Sequence, residues 1–211
     1  MTQALFREKI LAGDREAVEA LTRDAIAGGV PADTIIHAYL MPAMDEVGQL
    51  YEDGELFIPE MLMSARSMQA GMALLKPLIV GSQVKMAGRV IIGTVHGDMH
   101  DIGKTLVAMM LEGAGFEVHD LGVDISPARF VDAVRQERPT IVGMSAMLTT
   151  TMSNMKLTID ALREAGLRDS LKIMVGGAPL TSDFAASIGA DGFAEDASGA
   201  AHLAKSLAGV R

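Results

Sequence analysis

Cysteine is absent from the 211 residues, which excludes disulfides, thiolate-held iron-sulfur clusters, cysteine-ligated zinc and thiol nucleophiles. Any metal must therefore be held by nitrogen or oxygen. Tryptophan is missing, and aromatic residues make up only 4%. Positive charge is scarce: 18 lysines and arginines face 27 acids, a formal net charge of -9. Both halves share the deficit, with 12 acids against 7 bases in residues 1–86 and 15 against 11 in 87–211. Such a surface repels a phosphate backbone, so nucleic-acid binding is disfavoured as the main task. No apolar run approaches the roughly 20 residues that span a bilayer. The opening MTQALFREKILAGDRE interrupts any leader-like apolar stretch with charges, so a cytoplasmic protein is expected. What remains is ordinary globular composition, 49% hydrophobic and 21% charged, rich in methionine and long enough for two small domains.

The apolar periodicity divides the chain near residue 86. Before it, apolar residues recur at helical spacing and four helices are expected. Asp14 can cap a helix reaching about Ala27, which Gly28 and Gly29 end; Ala32 to Tyr51 carries another, with Pro42 predicting a kink; Glu52, Asp53 and Gly54 break it. Pro59 suits a first turn, after which Met61, Ala65, Met68 and Met72 form one stripe. That stripe reads either as bundle core or as a soft face against a large flat ligand. After residue 87, short apolar runs at 89–95, 116–122, 140–146, 171–178 and 191–196 alternate with helical segments at 102–115, 127–137, 150–166, 182–188 and 197–208. The pattern predicts an α/β chain: an N-terminal four-helix bundle, residues 1–86, followed by a flavodoxin- or Rossmann-like doubly wound parallel five-stranded sheet, residues 87–211. Ligands of such sheets gather beyond the strands' carboxyl ends at the switch point, here the loops starting at His96 and Ser145.

The first of those loops reads His96-Gly97-Asp98-Met99-His100-Asp101-Ile102-Gly103-Lys104. Neither glycine-rich phosphate motif is present, although Gly103-Lys104-Thr105 echoes the end of one. The loop offers an imidazole, His100, with a carboxylate two residues earlier that could hold one ring nitrogen while the other faces outward. Three readings stay open: a solvated loop histidine; a zinc or iron site pairing His96 and His100 with Asp98 or Asp101; and a single nitrogen given to a metal already held by a macrocycle.

Taken together, Asp98-x-His100-x-x-Gly103, Ser145-Ala146-Met147 after 41 intervening residues and Gly176-Gly177 after 28 more resemble the cobalamin-binding domain, whose signature strings are D-x-H-x-x-G, S-x-L and a glycine pair. Met147 stands where leucine is usual, a volume-conserving exchange. The stretch Met44 to Ala65 resembles the helical cap of methyl-carrying corrinoid proteins. Together the resemblances cover nearly the whole chain.

The resemblance implies a cobalamin or related corrinoid with its own lower base displaced, His100 as the axial cobalt ligand, Asp98 on the ring's other nitrogen and Thr151 completing a relay. It implies cofactor contacts from Met99, Asp101, Ile102, Gly103, Ser145, Met147, Leu148, Thr149, Gly176, Gly177 and Asp196. Asp196 could equally cap the last helix, and the glycine pair could equally serve a tight turn. The function implied is a methyl carrier that accepts a methyl group on cobalt from a substrate-specific methyltransferase and yields it to a second, acceptor methyltransferase using tetrahydrofolate or coenzyme M, with a reductive activase as a further partner. A flexible connection at Gly81 to Gly88 would let the cap move. The alternatives are a cobalamin-dependent sensor signalling by protein contact and an isolated mutase subunit.

Overall fold

The computed structural model describes residues 3–79 and 86–210. It separates into two compact units, one of residues up to Met86 together with Glu112–Gly115, the other of Ala87–Leu111 and the residues from Phe116 on.

The helical unit contains α1 (Gln3–Leu11), α2 (Arg15–Ala27), α3 (Ala32–Thr34), α4 (Met41–Glu52) and α5 (Ile58–Ile79). Asp14 caps α2 as expected, its carboxylate accepting the Ala17 N–H at 3.1 Å. Between α3 and α4 lies a π-helical segment, Ile35–Leu40. Its last turn is closed by Met41 N–H donating to the Ile36 carbonyl, five residues back. The irregularity expected at Pro42 therefore takes the form of a widened turn just ahead of it, where the proline ring has no N–H to offer and crowds the preceding carbonyls. The α2 and α5 helices pack closely at Gly71, where a Cβ would lie 3.1 Å from the Thr22 hydroxyl and 3.2 Å from Val18. Met61, Ala65, Met68 and Met72 are all buried alongside Phe6, Ile10, Val18, Ile35, Leu40 and Val47. The methionine stripe is bundle core, and the reading of it as an open face against a flat ligand is overturned.

The second unit is a five-stranded parallel sheet in the order β2-β1-β3-β4-β5. The strands are β1 (Gly88–Thr94), β2 (Phe116–Asp120), β3 (Ile141–Ser145), β4 (Lys172–Gly176) and β5 (Gly192–Ala194), connected by α6 (Ile102–Gly113), α7 (Pro127–Glu137), α8 (Ser153–Glu164) and α9 (Ser182–Ile188), with α10 (Ala197–Ala208) last. This is the doubly wound sheet read from the sequence, and its direction reverses between β1 and β3. Continuous apolar runs suit strands covered on both faces. Ile91, Val142, Met144, Ile173 and Val175 pack with Phe130 and Val134 of α7 and with Met155, Ile159 and Leu162 of α8.

One helix boundary differs from expectation. The segment expected from residue 150 becomes helical only at Ser153, because Leu148 to Met152 form a turn in which the Thr151 and Met152 N–H groups both donate to the Leu148 carbonyl. Of the connection expected to flex at Gly81 to Gly88, residues 81–85 lie outside the described residues; Gly88 opens β1 at φ 150°, where a Cβ would meet the Thr140 hydroxyl at 2.5 Å. Among the described residues, no helix is long and apolar enough to cross a membrane.

Candidate functional site

The loop after β1 and the loop after β3 meet on one carboxylate. Asp98 is fully buried. Its Oδ1 accepts from the His100 ring at Nδ1 (2.7 Å) and from the His100 N–H (3.1 Å). Its Oδ2 accepts from the Thr151 hydroxyl (2.7 Å) and from the N–H groups of Met147 (2.8 Å) and Leu148 (3.3 Å). Burial by itself pushes the Asp98 carboxyl up, but donation from Thr151, from the Met147 N–H and from His100 outweighs it and holds the group well below the usual carboxylate range. Asp98 is thus a charged acceptor at neutral pH, and an ionised carboxylate can only accept. Nδ1 of His100 therefore carries the hydrogen, and Nε2 is the nitrogen left with a lone pair in the neutral ring. The ring is 55% exposed.

Local structure explains why the loop holds this shape. Gly97 takes φ 80°, a left-handed turn that swings Asp98 inward beneath the loop. Asp98 N–H donates to the Val95 carbonyl and Thr105 N–H to the Asp101 carbonyl, so the turn feeds directly into α6. The Thr94 hydroxyl donates to the His100 carbonyl at 2.8 Å.

The same two loops and the start of α6 expose large apolar side chains that ordinary folding would hide: Met99 and Ile102 are 68% and 77% exposed, Met147 and Leu148 47% and 42%. Asp101 and Thr149 are exposed polar neighbours in the same loops, and Ser145 is half-buried at the end of β3. Gly103 opens on empty space, for a Cβ there meets no heavy atom within 4 Å. Gly177 is the opposite case: at φ 135° its Cβ would lie 1.9 Å from the Ala146 carbonyl oxygen, so the fold's own backbone demands glycine there. A Cβ on Gly176 would approach the Ala194 carbonyl at 3.1 Å. Asp196 caps α10, accepting the Gly199 N–H at 2.8 Å. The structure therefore gathers Asp98, His100, Met147, Leu148 and Thr151 into one hydrogen-bonded group, with Met99 between Asp98 and His100 in the chain, while Asp196 and the glycine pair have structural tasks of their own.

The zinc or iron reading fails on geometry. His96 turns to Asp124, its Nδ1 2.7 Å from Oδ1, while His100 turns to Asp98. Among the described residues no three histidine or acidic side chains are placed to hold a metal ion. A lone imidazole suits a metal that arrives with its other ligands already in place, and a broad apolar rim with open space over Gly103 suits a large flat carrier of that metal. The donor set fits a corrinoid. Three residues of the site were not singled out from the sequence: Thr94, Asp124 and Asn154. Their only local signal is a hydroxyl at a strand end, an aspartate in a turn and an amide in a first helical turn, all common.

The site is thus a carboxylate-backed imidazole at the switch point of a doubly wound domain. Residues 88–202 match the family model described as the B12 binding domain, and residues 3–76 match a second model of the same description. The chain belongs to the B12-binding corrinoid proteins. It is 41% identical over 210 residues to dimethylamine corrinoid protein 1 of Methanosarcina mazei, covering 95% of this chain and 97% of that one. It is 42% identical over 209 residues to the trimethylamine corrinoid protein of Methanosarcina barkeri, covering 98% and 96%. Among solved structures, the methanol:cobalamin methyltransferase complex MtaBC from Methanosarcina barkeri contains a chain that superposes with a TM-score of 0.87 at 31% identity, covering 97% of this chain and 78% of that one.

Proposed function

We propose that the protein is a methyl carrier in which Nε2 of His100 would hold the metal of a bound corrinoid. The observation that carries this reading is the 2.7 Å contact between the buried, charged Asp98 and Nδ1 of His100: the carboxylate accepts from Nδ1–H and leaves the outward nitrogen free to coordinate. When bound, the corrinoid supplies a cobalt centre able to take up a methyl group and release it again. His100 would hold that centre in place of the cofactor's own lower base. Asp98 keeps the ring oriented and, with Thr151 behind it, adjusts how much proton character stays on Nδ1. Thr151 donates the balancing hydrogen bond from the buried side, so a proton entering or leaving the group is shared along His100, Asp98 and Thr151. Met99, Ile102, Met147 and Leu148 supply apolar surface that keeps water from the ring, and the open side of Gly103 admits the cofactor to the backbone. Ser145 and Thr149 lie at the end of β3 and in the turn after it, where hydroxyls can meet the nucleotide tail, and Gly176, Gly177 and Asp196 lie at the same carboxyl ends.

Two partner methyltransferases follow from this reading, one bringing the methyl donor and one taking the methyl group to an acceptor, with a reductase that restores the carrier after accidental oxidation. Support for a docking partner comes from the relative solved within a methanol:cobalamin methyltransferase complex. Near-equal identity to relatives named for dimethylamine and for trimethylamine, 41% and 42%, supports a carrier whose own residues do not read the donor. The helical unit is proposed to serve as a cap domain, with a domain boundary near residues 86 and 87. The test is reconstitution: apoprotein incubated with hydroxocobalamin under reducing conditions and gel-filtered should emerge coloured. His100→Ala should keep much of the colour with an altered visible spectrum. A colourless wild-type protein would contradict the reading.

A further inference from the structure

The loop that carries His100 is held from two sides, and only one of them is the Asp98–Thr151 group. On the other side stands Asp124, in the loop between β2 and α7. Its main chain is in the left-handed region at φ 55°, and its N–H donates to the Asp98 carbonyl at 3.0 Å. Its side chain turns back over the same peptide: Oδ1 accepts the Gly97 N–H at 2.7 Å and lies 2.7 Å from His96 Nδ1. One residue thus grips the β1 loop three times, at positions 96, 97 and 98. Asn154, in the first turn of α8, secures the far side by donating to the His96 carbonyl at 2.7 Å. Half-exposed and touching none of the groups that would meet a ligand, Asp124 has no place in the chemistry proposed above. Its contacts are all with the loop's backbone and with a histidine turned away from the site.

We infer that Asp124 is a positioning residue: by clamping Gly97 and the Asp98 carbonyl it fixes how the Asp98 carboxylate is presented, and through it the tautomer and direction of the His100 ring. The reasoning is geometric. Gly97 is a glycine in a left-handed turn, the least restrained kind of residue in the chain, and it sits immediately before the residue on which the site converges. Without an acceptor for its N–H, that turn can rotate, and a rotation there moves Asp98 as a lever. The Gly97 N–H and the His96 ring, both donating, hold the Asp124 carboxyl below the usual carboxylate range, so the clamp is charged at neutral pH. A strained non-glycine turn maintained to serve one loop is a feature that tends to cluster at functional sites.

The inference rests on His100 being the ligand only for its functional consequence, so the test reads the ring in the apoprotein first. Asp124→Gly keeps the left-handed turn without cost and keeps the N–H bond to the Asp98 carbonyl, but removes the side-chain clamp on Gly97 and His96; Asp124→Ala removes that side-chain clamp with the turn strained; Asp124→Asn keeps both the turn and an acceptor oxygen. Long-range proton–nitrogen NMR of the imidazoles should show one tautomer, Nδ1–H, at His100 in wild type and in Asp124→Asn. A mixture of tautomers is expected in whichever clamp-free variant folds, together with exchange of the Gly97 amide about three- to tenfold faster and corrinoid uptake weaker by a similar factor. A clamp-free variant that speeds Gly97 exchange while leaving His100 in a single tautomer would make Asp124 a loop staple only and overturn the inference. So would an Asp124→Asn protein as disturbed as the clamp-free ones. If wild type takes up no corrinoid, the functional reading fails, while the ring signals still decide the role of Asp124.

Discussion

Five donors converge on the two oxygens of Asp98, and the consequences belong to single side chains. Removing one donor with Thr151→Val should cost about 1–2 kcal/mol of apoprotein stability in urea titration, since a buried charged acceptor loses one of its partners. A loss within error would mean water or a neighbour replaces the hydroxyl. The acid limb gives a second expectation. Because the folded carboxyl lies below its unfolded range near 3.9, its contribution is complete above that value and fades as pH falls through the folded one. The stability gap between wild type and Asp98→Asn should therefore be widest at neutral pH and narrow progressively below about pH 4. A gap that stays constant into acid would show that charge on Asp98 is not what the five donors recognise. Spacing alone suggested the pairing of Asp98 with His100, and the resemblance suggested Thr151. The amides of Met147 and Leu148 were not legible, because main-chain donors leave no mark in a sequence.

Helices and strands were read well where periodicity is strong. The runs at 102–115, 127–137, 182–188 and 197–208 correspond to α6, α7, α9 and α10 within two residues. The reading of 150–166 failed at its start, where Thr151 bonds a carboxylate fifty-three residues away instead of continuing a helix, and no local pattern reports such a contact. The π segment before Pro42 was legible only as a disturbance. Two glycines at strand and helix ends look alike in sequence and differ in structure. Gly177→Ala drives a methyl group into the Ala146 carbonyl and should cost about 3 kcal/mol or more in thermal or urea unfolding. Gly103→Ala meets open space inside α6, so the apoprotein should hold or gain up to about 1 kcal/mol. Its corrinoid uptake should nevertheless fall, because the new methyl occupies the surface the cofactor would approach. Equal and small effects on uptake and stability at position 103 would remove Gly103 from the proposed contacts.

At the scale of the molecule, the sheet order 2-1-3-4-5 places the β1 and β3 ends side by side, and the site is a consequence of that adjacency. The two signature segments lie more than forty residues apart in sequence and close on a single carboxylate only because parallel crossovers return each strand to the same edge. The acidic composition disfavours nucleic acid as a partner. Charge also bears on how such a carrier meets other proteins: a net charge of -9 favours partners with basic faces, and their association should weaken as salt is raised. The most direct test of the account is paramagnetic resonance of the cobalt(II) form, reconstituted into wild-type chain and into chain grown with nitrogen-15 histidine. If His100 is the axial donor, each cobalt line is split into a triplet by ordinary nitrogen and into a doublet by the labelled ring, and His100→Ala loses the dependence on label. A splitting that ignores the label would place the donor nitrogen on the cofactor itself and contradict the central claim.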